Sequence, residues 1–243
     1  MKRDLMISTL DGNASAGLFQ PDGKPAMAGV ILYMDAFGPR PALDRMAERL
    51  AALGYAVLVP DLFYRNAPYG PFDAKTAFTD EKTRPVLMGL VSGTTQEMTK
   101  GDTAAFIAAL AEAGAGGPIG TVGYCMGGAR ALNAAVAYPD KIAAAASFHG
   151  GNLASDSPDS PHASASKIRA KLYIGAAGVD RSFPPEQSAK LAEALRVAEV
   201  DHIIENYVGK QHGWCIPDHG AFDADGAERH WRRLTTFFGE TLT

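Results

Sequence analysis

The stretch TVGYCMGGAR, from Thr121 to Arg130, decides the fold class because a short apolar run passes into a helical pattern through a cluster of glycines. It predicts a buried strand that ends at Tyr124, a sharp turn at Cys125 and a helix that begins at Met126. A turn this tight leaves little space beyond hydrogen at the positions two before and two after the cysteine, and both are glycine. The stretch therefore predicts a strained turn that presents Cys125 at the start of a helix.

Short apolar runs alternate with helical patterns along the rest of the chain. The predicted buried strands are Gly29 to Asp35, Ala56 to Asp61, Ile119 to Tyr124, Ala143 to Gly150, Ala170 to Ala176 and His202 to Val208. Helical patterns lie at 41–54, 103–114, 126–139, 184–198 and 225–239. This alternation predicts an α/β fold with a mostly parallel central sheet and helices on both faces. The functional residues of such a sheet lie on loops at the carboxyl ends of its strands.

Three segments depart from the alternation. Residues 7–21, ISTLDGNASAGLFQP, predict an antiparallel hairpin added to one edge of the sheet. Residues 62–100 carry five aromatic side chains and predict a partial cap over the sheet. Residues 152–167 are rich in Ser, Pro and Asp, which is typical of a mobile surface loop. No repeat or linker divides the chain, so we expect residues 1–243 to form a single domain.

Composition excludes several classes of partner. The 243 residues carry 23 Lys and Arg against 27 Asp and Glu, without a basic run of the kind that binds nucleic acid. The N-terminus has no apolar signal segment, and no stretch reaches membrane-spanning length. The two cysteines, Cys125 and Cys215, indicate a reducing compartment rather than a disulfide framework. We therefore expect a cytoplasmic monomer or small homo-oligomer that binds neither nucleic acid nor membrane.

The turn at Cys125 has the spacing of a nucleophile elbow, G-x-S-x-G, with sulfur in place of oxygen. The positive end of the helix dipole favours a thiolate at this position. A buried core residue, the commonest state of a free cysteine, is the alternative interpretation. Strand, turn and helix together favour the nucleophile.

Two other kinds of site have weaker support. A phosphate-binding loop would need Lys and then Ser or Thr after the second glycine of the motif, where this chain has Gly and Ala. His212, Cys215 and His219 offer three metal donors, but their spacing is irregular. We therefore expect neither a metal nor another cofactor.

A cysteine nucleophile needs a base and a group that orients the base. Elbow hydrolases carry these groups in the order nucleophile, acid, histidine. Asp180 follows one predicted strand and His212 follows the last, so both fit that order at carboxyl ends of strands. His149 also ends a strand but precedes Asp180, and we expect it to line the pocket or to hydrogen-bond in the core.

The tetrahedral intermediate of acyl transfer needs two N–H groups aimed at its oxyanion. We expect one from Met126, directly after the nucleophile, and the other from Ala36, in the loop after the first buried strand. Asp35, beside Ala36, is either a turn residue or a carboxylate that faces the thiol.

These residues resemble the dienelactone hydrolase family of α/β-hydrolases over nearly the whole chain. The matching motifs are DAFG at 35–38, PDLFYR at 60–65, GYCMGG at 123–128, the acid at Asp180 and HGW at 212–214. The resemblance implies an α/β-hydrolase fold and a hydrolase of small carboxylic esters and lactones that acts through a thioester acyl-enzyme. It implies the following roles: nucleophile for Cys125, general base and acid for His212, orienting acid for Asp180, and oxyanion donors for Ala36 and Met126.

Two positions depart from the family's pattern. Members that act on dienelactone carry Glu where Asp35 stands, and that Glu holds the resting thiol proton. They also carry an arginine four residues beyond the catalytic histidine, where this chain has Ile216. The arginines that can supply the positive charge instead are Arg65, Arg84 and Arg181. The departures leave a second hypothesis open: a non-catalytic α/β-hydrolase-fold protein that binds a small hydrophobic ligand under residues 62–100.

Overall fold

Residues 2–242, the part of the chain that this computed structural model describes, form a mostly parallel sheet. Its strands are β1 (Lys2–Thr9), β2 (Gly12–Phe19), β3 (Ala28–Tyr33), β4 (Tyr55–Pro60), β5 (Ile119–Tyr124), β6 (Ile142–Phe148), β7 (Lys171–Val179) and β8 (His202–Gln211). They lie in the order β1-β2-β4-β3-β5-β6-β7-β8. The β1–β2 hairpin and the β2–β4 pair are antiparallel, and the remaining pairs are parallel. The predicted domain spans 1–243, and its first and last residues lie outside the described range.

Helices cover both faces of this sheet. They are α1 (Pro41–Ala52), α2 (Thr83–Gly93), α3 (Gln96–Glu112), α4 (Met126–Ala137), α5 (Pro185–Val197) and α6 (Ala224–Thr241). A side chain at Gly29 would contact Leu110 of α3, and one at Gly120 would contact Phe238 of α6. Gly29 pairs with Ile119, so Gly120 points to the opposite face. Helices α3 and α6 therefore lie on opposite faces, which confirms the predicted fold class.

The predicted strands are all present, and the opening hairpin forms one edge of the sheet. Strands β3, β4 and β5 are buried along their whole length, because helices cover both of their faces. This burial explains why their sequences are continuously apolar rather than alternating. Among residues 2–242, none of the helices combines the length and the apolarity that crossing a membrane requires.

The cap segment, residues 62–100, is more helical than the sequence pattern predicts. It contains α2, which Pro85 and Gly89 concealed because both residues disfavour helix interiors. Helix α3 also begins within it, at Gln96 rather than at the predicted residue 103. The start is fixed by Thr95, whose side chain accepts a hydrogen bond from the N–H of Met98 at 3.2 Å.

Residues 152–167 are packed more closely than a surface loop. They contain a short 3-10 helix at Pro161–Lys167, and five of their side chains are buried: Leu153, Ala154, Ser160, Pro161 and Ala165. The hydroxyl of Ser160 donates to the carbonyl of Asn152 at 3.1 Å and accepts from the N–H of Ser155 at 3.1 Å. The polar residues therefore hydrogen-bond within the segment, and the prediction of a surface loop is wrong for its buried part.

Candidate active site

Cys125 occupies the turn between β5 and α4. Its backbone has φ 56° and ψ −120°, a conformation that residues with a side chain rarely adopt. A Cβ at Gly123 would lie 1.9 Å from the carbonyl oxygen of Gly127, and a Cβ at Gly127 would lie 2.4 Å from that of Tyr33. No side chain fits at either distance. The strained turn is therefore present, and both glycines are required by the close approach of backbone segments.

The amide of Cys125 is held by two acceptors. Its N–H donates to the carbonyl of Phe148 at 3.2 Å and to Nδ1 of His149 at 3.1 Å. Because Nδ1 accepts, the neutral ring of His149 carries its proton on Nε2. Burial lowers the pKa of His149 well below its usual value, and the positive charge of nearby His212 acts in the same direction. Of the two roles expected for His149, these contacts match the hydrogen bond in the core.

Asp180 and His212 meet at the carboxyl ends of β7 and β8. Strand β7 ends at Val179 and β8 ends at Gln211, so each side chain directly follows its strand. Nδ1 of His212 lies 2.7 Å from Oδ2 of Asp180, whose side chain is only 3% exposed. The carboxylate therefore accepts the Nδ1–H proton and leaves Nε2 for a second partner.

The thiol of Cys125 is a neighbour of this imidazole, and both side chains line the same cleft. Burial alone would lower the pKa of His212, but attraction to the Cys125 thiolate and the hydrogen bonds to Asp180 and Cys125 raise it to about 10. For Asp180 the effect of burial is the opposite, because burial alone would raise the pKa of a carboxyl group. The hydrogen bond and the charge of His212 outweigh this effect, so the pKa of Asp180 lies below its usual value. The three residues predicted as nucleophile, base and acid thus line one cleft, and the base and acid are hydrogen-bonded to each other.

Ser182 is a fourth polar group beside these three residues, and it was not among the residues predicted from the sequence. Its N–H and its hydroxyl both donate to Oδ1 of Asp180, at 2.8 and 2.6 Å. Its Oγ also lies 3.3 Å from Nδ1 of His212. A serine two residues after an aspartate is typical of an Asx turn, and that local pattern was the available signal.

The two predicted oxyanion donors are unpaired. Among residues 2–242, neither the N–H of Ala36 nor that of Met126 has a hydrogen-bond partner. Gly127 packs against the carbonyls that end β3, which brings the start of α4 against the loop that follows that strand. Ala36 belongs to a small apolar cluster against which Met126 and Cys125 pack. Two free N–H groups therefore lie on segments in contact with the sulfur-bearing residue.

Asp35 makes a different set of contacts from those of a carboxylate that faces a thiol. Its Oδ1 and Oδ2 accept from Nη1 and Nη2 of Arg40 at 2.6 and 2.8 Å. Oδ1 also accepts from the N–H of Phe37 at 3.1 Å. Within the described residues, none of its hydrogen bonds goes to Cys125. Of the two roles predicted for Asp35, these contacts match the turn residue.

A cleft of about 1020 Å³ contains Cys125 and His212 in its wall. Phe78 and Met88 of the cap segment give it apolar surface. Its positive charges come from Lys75, Arg84 and Arg181. Arg65, the remaining candidate from the sequence, is not among the lining residues. Its guanidinium is instead paired with Asp11 at 2.6 Å and Asp102 at 2.8 Å.

His212, Cys215 and His219 are not arranged as metal ligands. Across residues 2–242, no three His, Cys, Asp or Glu side chains group in a way that could hold a metal ion. Cys215 is a buried free thiol, and burial raises its pKa well above the usual value. Nδ1 of His219 accepts the N–H of Ala221 at 3.0 Å, which uses that nitrogen within its own loop.

Known proteins resemble this chain in amino-acid sequence and in fold. Residues 15–242 match the profile of the dienelactone hydrolase family. A protein of Synechocystis sp. with the provisional name carboxymethylenebutenolidase is 27% identical over 218 residues, 88% of this chain and 86% of that protein. The carboxymethylenebutenolidase of Pseudomonas putida is 31% identical over 139 residues, 56% of this chain and 57% of that enzyme.

The fold also has a counterpart among solved structures. A crystal structure from Klebsiella pneumoniae subsp. pneumoniae, provisionally named a dienelactone hydrolase, aligns with a TM-score of 0.86 over 98% of each chain. Its sequence identity of 21% shows a shared fold alone. The family profile, in contrast, matches nearly the whole chain. The chain therefore belongs to the dienelactone hydrolase family and is a hydrolase of ester bonds.

Proposed function

We propose that this chain hydrolyses small carboxylic esters and lactones through a thioester formed on Cys125. The observation that carries the proposal is that Cys125, on its strained turn, and His212, hydrogen-bonded to Asp180, line one cleft. In this proposal the imidazole takes the proton of the Cys125 thiol, which gives a thiolate beside an imidazolium. That pair supplies the nucleophile and the acid for the first half of an acyl transfer.

In the acylation step, the thiolate of Cys125 attacks the carbonyl carbon and a C–S bond forms. The N–H groups of Ala36 and Met126 donate to the oxygen that becomes negative, and their lack of other partners supports this role. Collapse of the tetrahedral intermediate breaks the C–O bond. The imidazolium of His212 protonates the leaving alkoxide, which departs as an alcohol or, from a lactone, as a tethered hydroxyl.

In the deacylation step, neutral His212 accepts a proton from a water molecule, whose oxygen attacks the thioester. The same two N–H groups hold the second oxyanion. Its collapse breaks the C–S bond, releases the carboxylic acid and restores the thiolate beside the imidazolium. Asp180 stays ionised throughout and orients the ring, a role that its depressed pKa supports.

The cleft supports a substrate of limited size that carries negative charge. Lys75, Arg84 and Arg181 line it together with Cys125, so an ester or lactone with a carboxylate gains electrostatic attraction there. The relatives named carboxymethylenebutenolidase support a lactone of this kind. A thiolate leaves a tetrahedral intermediate more readily than an amine does, which favours esters over amides. We place the activity in the cytoplasm, because Cys125 must remain a reduced thiol to act.

The experiment is turnover of p-nitrophenyl acetate by the wild-type chain and by Cys125→Ala. We expect release of nitrophenol by the wild type, loss of turnover in Cys125→Ala, and an acetyl group on Cys125 when the reaction is quenched early and analysed by mass spectrometry. Cys215→Ala is the matched control, since Cys215 is the other free thiol and is buried away from the cleft. We expect it to keep its activity.

A folded wild-type chain without turnover on any ester or lactone of a substrate panel would contradict the proposal and favour the ligand-binding hypothesis. A panel that pairs a carboxylate-bearing lactone with its neutral methyl ester tests the charge preference. We expect the charged member to have the higher kcat/KM. Equal values for the pair would contradict the preference for negative charge and leave the thioester mechanism standing.

A further inference from the structure

Arg40 joins two loops of the candidate site that are far apart in the sequence. It stands at the start of α1, and its side chain is only 10% exposed. Two of its nitrogens donate to Asp35, as described above, and Nε and Nη2 donate to Oδ2 and Oδ1 of Asp218 at 2.8 and 2.9 Å. One guanidinium therefore makes two-point contacts with two carboxylates, the geometry that gives such pairs their rigidity.

On one side, Arg40 holds the residues that surround Ala36. Asp35 precedes Ala36 and accepts two hydrogen bonds from the guanidinium. Phe37 follows Ala36, and its ring lies under the guanidinium with 5.2 Å between Cζ and the ring centroid. The carbonyl of Gly38 accepts from Nη1 at 3.2 Å. Arg40 thus fixes the backbone on both sides of the Ala36 N–H.

On the other side, Arg40 holds the loop that follows His212. Asp218 accepts hydrogen bonds from the guanidinium of Arg40, and the adjacent His219 lines the cleft. The ring of His219 also packs on that of Phe37, with 5.9 Å between the centroids. The loop that carries the Ala36 N–H and the loop after the catalytic histidine are therefore fastened to each other through one side chain.

We infer that Arg40 is a positioning residue that holds the Ala36 N–H in line with the carbonyl oxygen of the substrate. Arg40 is not among the residues that line the cleft with Cys125, so it acts through the loop rather than on the substrate. The same contacts occupy the carboxylate of Asp35, which therefore binds Arg40 and does not receive the thiol proton. This inference rests on the proposed thioester mechanism.

Two reactions of the same sulfur separate this role from a general structural one. Acylation by p-nitrophenyl acetate passes through an oxyanion and needs the Ala36 N–H. Alkylation of Cys125 by iodoacetamide is a displacement at a saturated carbon, forms no oxyanion, and needs only the thiolate beside His212. Loss of the contacts that Arg40 makes with Asp35 and Asp218 should therefore slow acylation and leave alkylation unchanged.

The test measures both rates in the wild type and in Arg40→Lys, which keeps the charge but loses the two-point geometry. We expect kcat for the ester to fall about 10- to 100-fold, because misplacing one oxyanion donor loses part of its effect on the rate. We expect KM to change little and the alkylation rate to stay within about twofold of wild type. Arg49→Lys is the matched control. Arg49 makes a similar two-point pair with Glu228, at 2.8 and 3.0 Å, on the exposed surface of α1 and α6, and both rates should be unchanged.

Unchanged ester turnover in folded Arg40→Lys would overturn the inference, and so would an equal loss of both reactions. Asp218→Asn is the second variant, since its 36% exposed side chain can be replaced without leaving a buried charge unpaired. We expect it to lose ester turnover by a smaller factor and again to keep its alkylation rate; turnover equal to wild type would also overturn the inference. If the wild type itself turned over no ester, the proposed function would fail, whatever the variants showed.

Discussion

The carboxylate of Asp180 shows how single hydrogen bonds set the chemistry of this site. Oδ2 faces the imidazole, and Oδ1 receives both donors of Ser182. Burial alone would raise the pKa of Asp180, but the hydrogen bond and charge of His212, and after them the two donors of Ser182, stabilise the ionised form and hold this pKa below its usual value. In the proposed mechanism, a carboxylate with a depressed pKa keeps orienting His212 as the pH falls, so we expect activity to extend toward acid pH.

We predict that Ser182→Ala raises the pKa of Asp180 and moves the acid limb of the kcat/KM profile to higher pH. Asp180 would then be protonated earlier as the pH falls, and the imidazole would lose its partner. We expect kcat/KM on the acid limb to be about tenfold lower at a given pH, because a hydrogen bond to a charged group contributes about 1.5 kcal/mol. We expect kcat at neutral pH, where Asp180 stays ionised, to change little. The measurement is ester hydrolysis as a function of pH.

Ser157→Ala is the control for this prediction. Its hydroxyl also donates to an aspartate two residues away, Asp159, but that pair is exposed and is not part of the cleft that holds Cys125. We expect a wild-type profile from it. An acid limb in Ser182→Ala that stays at the wild-type pH would show that Ser182 does not tune Asp180.

At the scale of elements, the start of helix α4 is placed by a glycine. The carbonyls of Tyr33 and Met34 lie where a side chain of Gly127 would be, at 2.4 and 2.5 Å from its ideal Cβ. This approach positions the free N–H of Met126, and it leaves no room for even a methyl group. The start of the helix and the proposed oxyanion donor at Met126 therefore both depend on the lack of a side chain at residue 127.

We predict that Gly127→Ala lowers the free energy of unfolding by about 3 kcal/mol or more, because the new methyl group collides with backbone that cannot move away cheaply. Gly89→Ala is the control: Gly89 is a helical glycine of α2 with nothing within 4 Å of its ideal Cβ. We expect it to stabilise by about 0.5–1 kcal/mol, the difference in helix propensity. Urea unfolding of the three chains measures both effects, and similar stabilities for the two variants would contradict this account.

The parts of the molecule that could be predicted are those with a local signal in the sequence. The glycines around Cys125 and the apolar strands carry local signals, so the turn, the sheet and the position of Asp180 and His212 could be predicted. Helix α2 could not, since its apolar residues are interrupted by Pro85 and Gly89 and its stability comes from packing. The contact of Arg40 with Asp218 joins positions 178 residues apart, and no local pattern encodes such a pair.

At the scale of the whole molecule, a buried histidine connects β5, the strand that leads to Cys125, with the last helix. Nε2 of His230, on α6, hydrogen-bonds with the hydroxyl of Tyr124 at 3.0 Å, one residue before Cys125. The ring also contacts Phe148 edge-on, with 4.2 Å between centroids. Burial lowers the pKa of His230 to about 3, so the folded chain keeps this ring neutral far into the acid range.

We predict that the free energy of unfolding falls as the pH decreases from about 6.5 toward 3, by up to about 1.4 kcal/mol per pH unit from His230. In that window the unfolded chain binds a proton at residue 230 and the folded chain does not. Stability therefore rises with pH between about 3 and 6.5, and the contribution of His230 is fully present above pH 6.5.

His230→Phe should show a shallower pH dependence, although it is less stable at neutral pH. Tyr124→Phe removes the same hydrogen bond but keeps the imidazole, and should therefore keep the wild-type slope. Urea unfolding at a series of pH values distinguishes them, and parallel slopes for wild type and His230→Phe would show that this histidine does not link folding to protons.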